Sequence, residues 1–509
     1  MIWDVPQRFN FTRDVVERLS GPALTLVARD GAVRRFTFEQ VAERAARWAG
    51  LLRREGVAPG DRVLVLVGKT AEWHPIMLAV LKVGALAIPC SEMLRARDLS
   101  FRARHSGATL LVADGTAAPE VEAMDEGPPV VWTDDVALPE PDPATADTTA
   151  SDPAFILYTS GTTKDPKGAV HTHAYCFAKR MQAEHWLRAE STDLVWCTAS
   201  TGWAKSIWNV LLGPWSRGAQ ILLHEGGFDP AERFELTAEH GVTVLCQAPT
   251  EYRVMAKVDN LARYDLSRVR HAVSAGEPLN PEVIKTFRDA FGITIYDGYG
   301  QTENTLLVGN TPERPVKPGS MGLPAPGHEI GVIDGDGREV GVADEGDIAL
   351  RGRPPSLFMG YWNAPAETAA VFRRDWYVTG DRATRDEDGY LWFTGRADDV
   401  ILSAAYRIGP FEVESALLEH PAVAESAVVG APHPERGQIV KAFVVLRPGV
   451  ARADDLAREL QDHCKRVTAP YKYPREIEFV DELPKTRSGK IRRVELRQRE
   501  QERVRPRGA

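Results

Sequence analysis

Residues 158–168 read YTSGTTKDPKG, a run of hydroxyls, glycine and lysine that follows an apolar stretch. Small residues let backbone N–H groups approach phosphate oxygens, hydroxyls donate further hydrogen bonds, and lysine supplies charge. The GxxxxGK[ST] spacing of a Walker loop is absent, so a P-loop nucleotidase is excluded. A polar strand-to-helix turn has the same composition, and this stretch alone leaves both readings open. Other residues pose similar choices. Asp381 in VTGD is in isolation an Asx turn as readily as a ligand. Lys490 in RSGK is in isolation a solvated lysine in a basic tail, with seven arginines between residues 492 and 507. Residues 395–414, GRADDVILSAAYRIGPFEVE, gather Arg396, Asp398, Asp399 and Arg407 into one stiff, charged corner.

Elements must hold these residues in place. Apolar β-branched runs at 62–67, 154–158, 220–223, 242–246 and 293–296 predict buried strands. Between them, Val41, Ala45, Trp48 and Leu52 recur at helical spacing over 38–53. This alternation predicts an α/β fold of mostly parallel sheets with helices on both faces. Residues 127–153, rich in Asp, Pro, Ala and Thr, read as a surface excursion. Short strands at 329–333, 347–350 and 390–393, split by DGDG and DEDG, predict a small distorted barrel. The tail places strands near 426–429, 442–446 and 477–480, a small α+β domain, and the charged corner is the best boundary.

With 509 residues the chain is too long for one ordinary core. A formal net charge of −9 argues against nucleic-acid binding as its main activity. Cys90, Cys176, Cys197, Cys246 and Cys464 are scattered without metal spacing, which predicts free buried thiols and a cytoplasmic setting. The first residues resemble neither a secretory signal nor a transit peptide, and no run approaches a membrane span.

Taken in order, TSGTT at 159–163 with PKG at 166–168, YGQTE at 299–303, YVTGD at 377–381, GRADD at 395–399 and LPKTRSGK at 483–490 carry a resemblance. They resemble the adenylate-forming superfamily of acyl-CoA synthetases, luciferases and peptide-synthetase adenylation domains. VPQRFNF, TGWAKSIW, APTEYR, VSAGEPLNPEV, KPGSMG, AESAVV and TAPYKYPR are similar to its medium-chain acyl-CoA synthetase branch. The resemblance therefore covers nearly the whole chain. It breaks at Lys164 and Ala405, where the family usually has glycine.

The resemblance implies a large domain over 1–397 and a small mobile domain over 398–509, with Asp398 as the hinge. It implies two half-reactions using ATP, Mg²⁺ and coenzyme A: a carboxylic acid becomes an acyl-adenylate, then a thioester. Thr159, Ser160, Gly161, Thr162, Thr163 and Lys167 would cradle the phosphates. Gly276, Glu277 and Pro278, with Asp297, Gly298 and Tyr299, would wall the adenine site. Asp381 and Arg396 would hold the ribose. Thr302 would donate to the α-phosphate, Glu303 would ligate Mg²⁺, and Lys490 would catalyse adenylation. Trp203, Gln247 and Gly300 would border the acyl pocket, with Lys205 and Trp208 nearby. Gly300 stands where acetate-activating relatives carry tryptophan, so a medium-chain or aromatic acid is expected. Ala405, Tyr406 and Arg407 would lie on the coenzyme A passage. The extra methyl of Ala405 leaves open an acceptor other than coenzyme A, such as a carrier protein, an amine or a small nucleophile. Self-association into a homodimer is also left open.

Overall fold

The computed structural model describes residues 3–159, 166–396, 399, 401–403, 406–433, 437–468, 472–485 and 491–504. Two large sheets carry the first part of the chain. The nine-stranded sheet has a parallel centre built from Pro22–Val27, Gln220–His224, Leu194–Cys197, Val244–Gln247, His271–Ala275 and Ile295–Gly300. Antiparallel strands close both of its edges. The seven-stranded sheet centres on the parallel run Arg62–Leu66, Leu86–Pro89 and Leu110–Ala113.

These strands are apolar throughout because helices and the other sheet bury both faces. The two sheets share one core, in which Val63 and Ala87 of one join Val195 and Val273 of the other. The helix Trp73–Lys82 lies in that core with all ten residues buried, as its mostly apolar sequence favours. The helix Phe38–Arg54 is amphipathic and starts at a capping box, Thr37 with Gln40. It buries Val41, Ala45, Trp48 and Leu52.

The stretch 127–153 departs from a plain surface excursion. Val130–Trp132 forms an edge strand beside Leu110–Ala113, and the following residues are strapped down. Lys82 Nζ bonds Glu17 Oε1 at 2.5 Å and Thr145 Oγ1 at 2.8 Å. Thr148 Oγ1 donates to the Phe9 carbonyl at 2.7 Å. Buried partners waiting for these polar groups turned a loop composition into a fixed strap.

The expected small barrel is a five-stranded antiparallel sheet in which Trp376–Arg385 pairs with Gly346–Arg351 on one side and Leu391–Arg396 on the other. A final five-stranded sheet holds Val423–His433 and Gly437–Leu446, with Glu476–Phe479 parallel to the latter. The expected hinge, Asp398, lies outside the described residues. All five cysteines are buried and free. No helix among the described residues is long and apolar enough to cross a membrane.

Candidate active site

The parallel strands of the nine-stranded sheet end together, and the chain that leaves them forms one wall of a cleft of about 960 Å³. Carboxyl-terminal strand ends are where open α/β sheets place ligands, because the loops there are free of packing duties. Gly276, Glu277 and Pro278 follow the strand His271–Ala275, and Tyr299 to Glu303 run out from Ile295–Gly300. Both segments line the cleft. Gly276 takes φ +117°, a conformation that favours glycine. Glu277 accepts from Thr250 Oγ1 at 2.8 Å and Arg253 Nη2 at 3.0 Å.

Asp381 and Arg396 are cross-strand partners in the antiparallel sheet, which brings both to the cleft from residues fifteen apart in sequence. The Asp381 carboxylate is fixed from the opposite wall. Tyr299 Oη donates to its Oδ2 at 2.6 Å and Gln301 Nε2 at 2.8 Å. Gln301 in turn accepts from Tyr377 Oη at 3.0 Å. A carboxylate held by two donors keeps its orientation.

Thr302 and Glu303 stand at the centre. His171 Nε2 donates to the Thr302 carbonyl at 2.8 Å, and burial pushes the His171 pKa down to about 3, which keeps the ring neutral. Tyr361 Oη donates to Glu303 Oε1 at 2.7 Å. Burial raises the Glu303 carboxyl above its ordinary range, while the Tyr361 bond and the Lys167 charge pull it back. Lys167 Nζ sits 4.9 Å from the Tyr361 ring centroid. Asp297 accepts from the N–H groups of Leu279 and Gly298, both at 3.1 Å, yet burial lifts its pKa to about 7.

The stretch 158–168 joins two antiparallel strands, Pro153–Tyr158 and Gly168–Thr172, rather than a strand and a helix. The Thr159 N–H donates to the Lys167 carbonyl at 2.9 Å and closes the hairpin base. Ser160, Gly161, Thr162 and Thr163 lie outside the described residues, as do Lys490 and Ala405. The backbones of Tyr406 and Arg407 belong to the strand Tyr406–Ile408, and their side chains lie outside the described set. The residues flanking 486–490, Lys485 and Ile491, line the cleft. Next to them, Arg493 forks onto buried Glu414, with Nε to Oε1 at 2.9 Å and Nη2 to Oε2 at 2.6 Å.

Three acyl-pocket expectations meet different outcomes. Trp203 lines the cleft. Gln247 does not: Nε2 points to Met255 Sδ at 3.2 Å. Side chains alternate along Val244–Gln247, so Cys246 faces the inter-sheet core while Leu245 and Gln247 face the outer helices. Gly300 lines the cleft, but a Cβ there would stand 2.1 Å from the Thr305 carbonyl oxygen. The glycine thus answers a close backbone approach at a register shift between strands rather than an open space in front of it. Lys205 Nζ caps strand ends, donating to the carbonyls of Gln247 at 2.7 Å and Ala275 at 3.1 Å. Sequence reasoning did not single out Gln301, Tyr361 or the Glu414–Arg493 fork. Gln301 lies inside a quoted motif, whereas Tyr361 carries no local signal.

A model of the AMP-binding enzyme family matches residues 14–362, and one of the AMP-binding enzyme C-terminal domain matches residues 412–490. The uncharacterized acyl–CoA ligase YtcI of Bacillus subtilis (strain 168) is 45% identical, covering 98% of this chain and 97% of its own. The mitochondrial acyl-coenzyme A synthetase ACSM3 of Mus musculus is 40% identical, with coverage of 98% and 91%. A crystal structure of the anthranilate CoA ligase AuaEII with anthranoyl-AMP superposes with a TM-score of 0.91 at 31% identity, covering 98% of this chain and 99% of that one.

Proposed function

We propose a function on the premise that this chain belongs to the AMP-binding enzyme family: it is an AMP-forming acid–CoA ligase for a medium-chain or aromatic carboxylic acid. In the first half-reaction the acid's carboxylate oxygen attacks the α-phosphorus of ATP, forming an acyl-adenylate as pyrophosphate leaves. In the second, the coenzyme A thiol attacks the acyl carbon, and AMP and a proton are released. The observation that carries this reading is convergence. Thr302, Glu303, Asp381, Arg396 and the 276–278 segment face one cleft at the strand ends.

Such chemistry is mostly positioning and charge stabilisation. Asp381, oriented by Tyr299 and Gln301, would accept from the ribose hydroxyls, with Arg396 beside it. The Thr302 hydroxyl would donate to the α-phosphate. Lys490 would supply the cation that meets both the carboxylate and the α-phosphate oxygens. No group of three or more His, Cys, Asp or Glu side chains that could hold a metal occurs among the described residues. That suits Mg²⁺, which takes few protein ligands and shares phosphate oxygens. Glu303 would hold it, and the ion would neutralise phosphate charge. Rotation of the C-terminal segment about Asp398 would exchange Lys490 for the 404–407 segment between the half-reactions.

The test is thioester formation over a panel of acids, with ATP, Mg²⁺ and coenzyme A each omitted in turn. Thioester with at least one medium-chain or aromatic acid, lost on each omission, is expected. AMP release without thioester for every acid would overturn it.

A further inference from the structure

A second cavity, of about 390 Å³, opens between the end of the helix His173–His185 and the edge strands Leu306–Gly309 and Leu323–Pro324. None of the residues assigned above to ATP lines it. The two cavities meet at one pair of strands. Gly298, which lines the main cleft, and Gly309, which lines the second cavity, are cross-strand partners. The Trp186 indole lies across this glycine pair. A Cβ on Gly298 would stand 2.7 Å from Trp186 Cε2 and 2.5 Å from Leu306 Cδ1, and one on Gly309 would stand 3.0 Å from Trp186 Cδ1. Two adjacent glycines thus form a slot across the strands, and Trp186 and Leu306 fill it.

Packing alone holds the indole. Trp186 is 1% exposed and its Nε1 has no hydrogen-bond partner. A second orphan faces the same cavity: Asn310, 4% exposed, spends Nδ2 on the Ser320 carbonyl at 3.0 Å and leaves Oδ1 without a donor. Buried polar atoms without partners are costly. Here one is a donor and the other an acceptor, and a hydroxyl can serve as partner to either kind.

We propose that this cavity is the distal end of the acid site. The acyl chain enters from the main cleft, displaces Leu306 from the glycine slot, and places its far end beside Trp186 Nε1 and Asn310 Oδ1. The substrate class is a medium-chain or extended aryl carboxylic acid with a terminal hydroxyl, which accepts from the indole and donates to the amide. The inference rests on the acid–CoA ligase reading above and extends it to the acid.

The experiment measures kcat/KM for thioester formation with hexanoate, decanoate and ω-hydroxydecanoate in the wild-type enzyme and two variants. Leu323→Trp fills the second cavity from its own, half-buried side, and Trp186→Phe keeps the ring while removing the donor. The wild-type enzyme should prefer ω-hydroxydecanoate to decanoate by about three- to tenfold, the range of one net hydrogen bond. Trp186→Phe should erase that preference. Leu323→Trp should lower both ten-carbon acids about tenfold or more and leave hexanoate, the control for folding, unchanged. Equal values for the two ten-carbon acids in the wild type would overturn the proposal. So would a Leu323→Trp enzyme that spares them or loses all three acids alike. Absence of thioester with every acid in the wild type would instead overturn the ligase reading.

Discussion

Asp297 offers the sharpest electrostatic test, because its position sets two effects against each other. Two N–H groups favour its charged form, yet burial wins and lifts the pKa from the ordinary 3.8 to about 7. The folded state therefore binds a proton more tightly than the unfolded chain. The contribution to stability is complete below pH 3.8, and it is lost as pH rises through about 7. The gap between 3.8 and about 7, at 1.36 kcal/mol per pKa unit, amounts to about 4 kcal/mol. Asp297→Asn removes the titration. It adds a pH-independent cost, since one amide nitrogen must face an N–H donor. The assay is urea unfolding followed by tryptophan fluorescence at pH 4 to 8; all 12 tryptophans precede residue 397, so the signal reports the large N-terminal region. The variant should gain about 4 kcal/mol on the wild type across that range. Parallel curves for the two proteins would refute the burial argument.

Other residues give shorter tests. Lys179 is buried over the rings of Tyr175 and Trp208 with no hydrogen-bond partner, and burial drives its pKa well below 10.5. Lys179→Met should stabilise the fold by about 1 to 3 kcal/mol at pH 7. That gain should shrink as pH approaches 10.5, where the unfolded lysine also becomes neutral; a constant gain in denaturant melts would contradict it. Tyr361→Phe removes the bond that holds the Glu303 pKa down. The acidic limb of pyrophosphate exchange should move to higher pH, and an unmoved limb would detach Tyr361 from the chemistry. Gly300→Ala pushes a methyl against the Thr305 carbonyl, 2.1 Å from its Cβ position, and should cost about 1 to 3 kcal/mol in thermal melts. A melt equal to wild type would restore open space there.

Much of this fold is legible residue by residue. The run 62–67 becomes the strand Arg62–Leu66, and the helical spacing over 38–53 becomes Phe38–Arg54. These succeed because burial on both faces or one stripe leaves a periodic trace. The strap over 133–149 left no such trace, since its anchors, Lys82 and Phe9, are distant in sequence. The same asymmetry governs the site. Asp381 and Arg396 are readable as motif residues, but only strand register shows that they face each other. Gln247 points away from the cleft because the direction of a side chain at a strand end depends on which face the neighbouring helices cover. Gly300 is legible as an unusual small residue, while its cause, the Thr305 carbonyl, lies in the next strand crossing.

In the proposed reaction a carboxylate oxygen of the acid becomes bonded to the α-phosphorus of ATP. A single-turnover reaction with acid labelled by heavy oxygen in its carboxylate, ATP and coenzyme A, followed by mass spectrometry of the nucleotide, tests it directly. AMP carrying one heavy oxygen, in equal amount to the thioester formed, is expected. Unlabelled AMP, or ADP in its place, would contradict it.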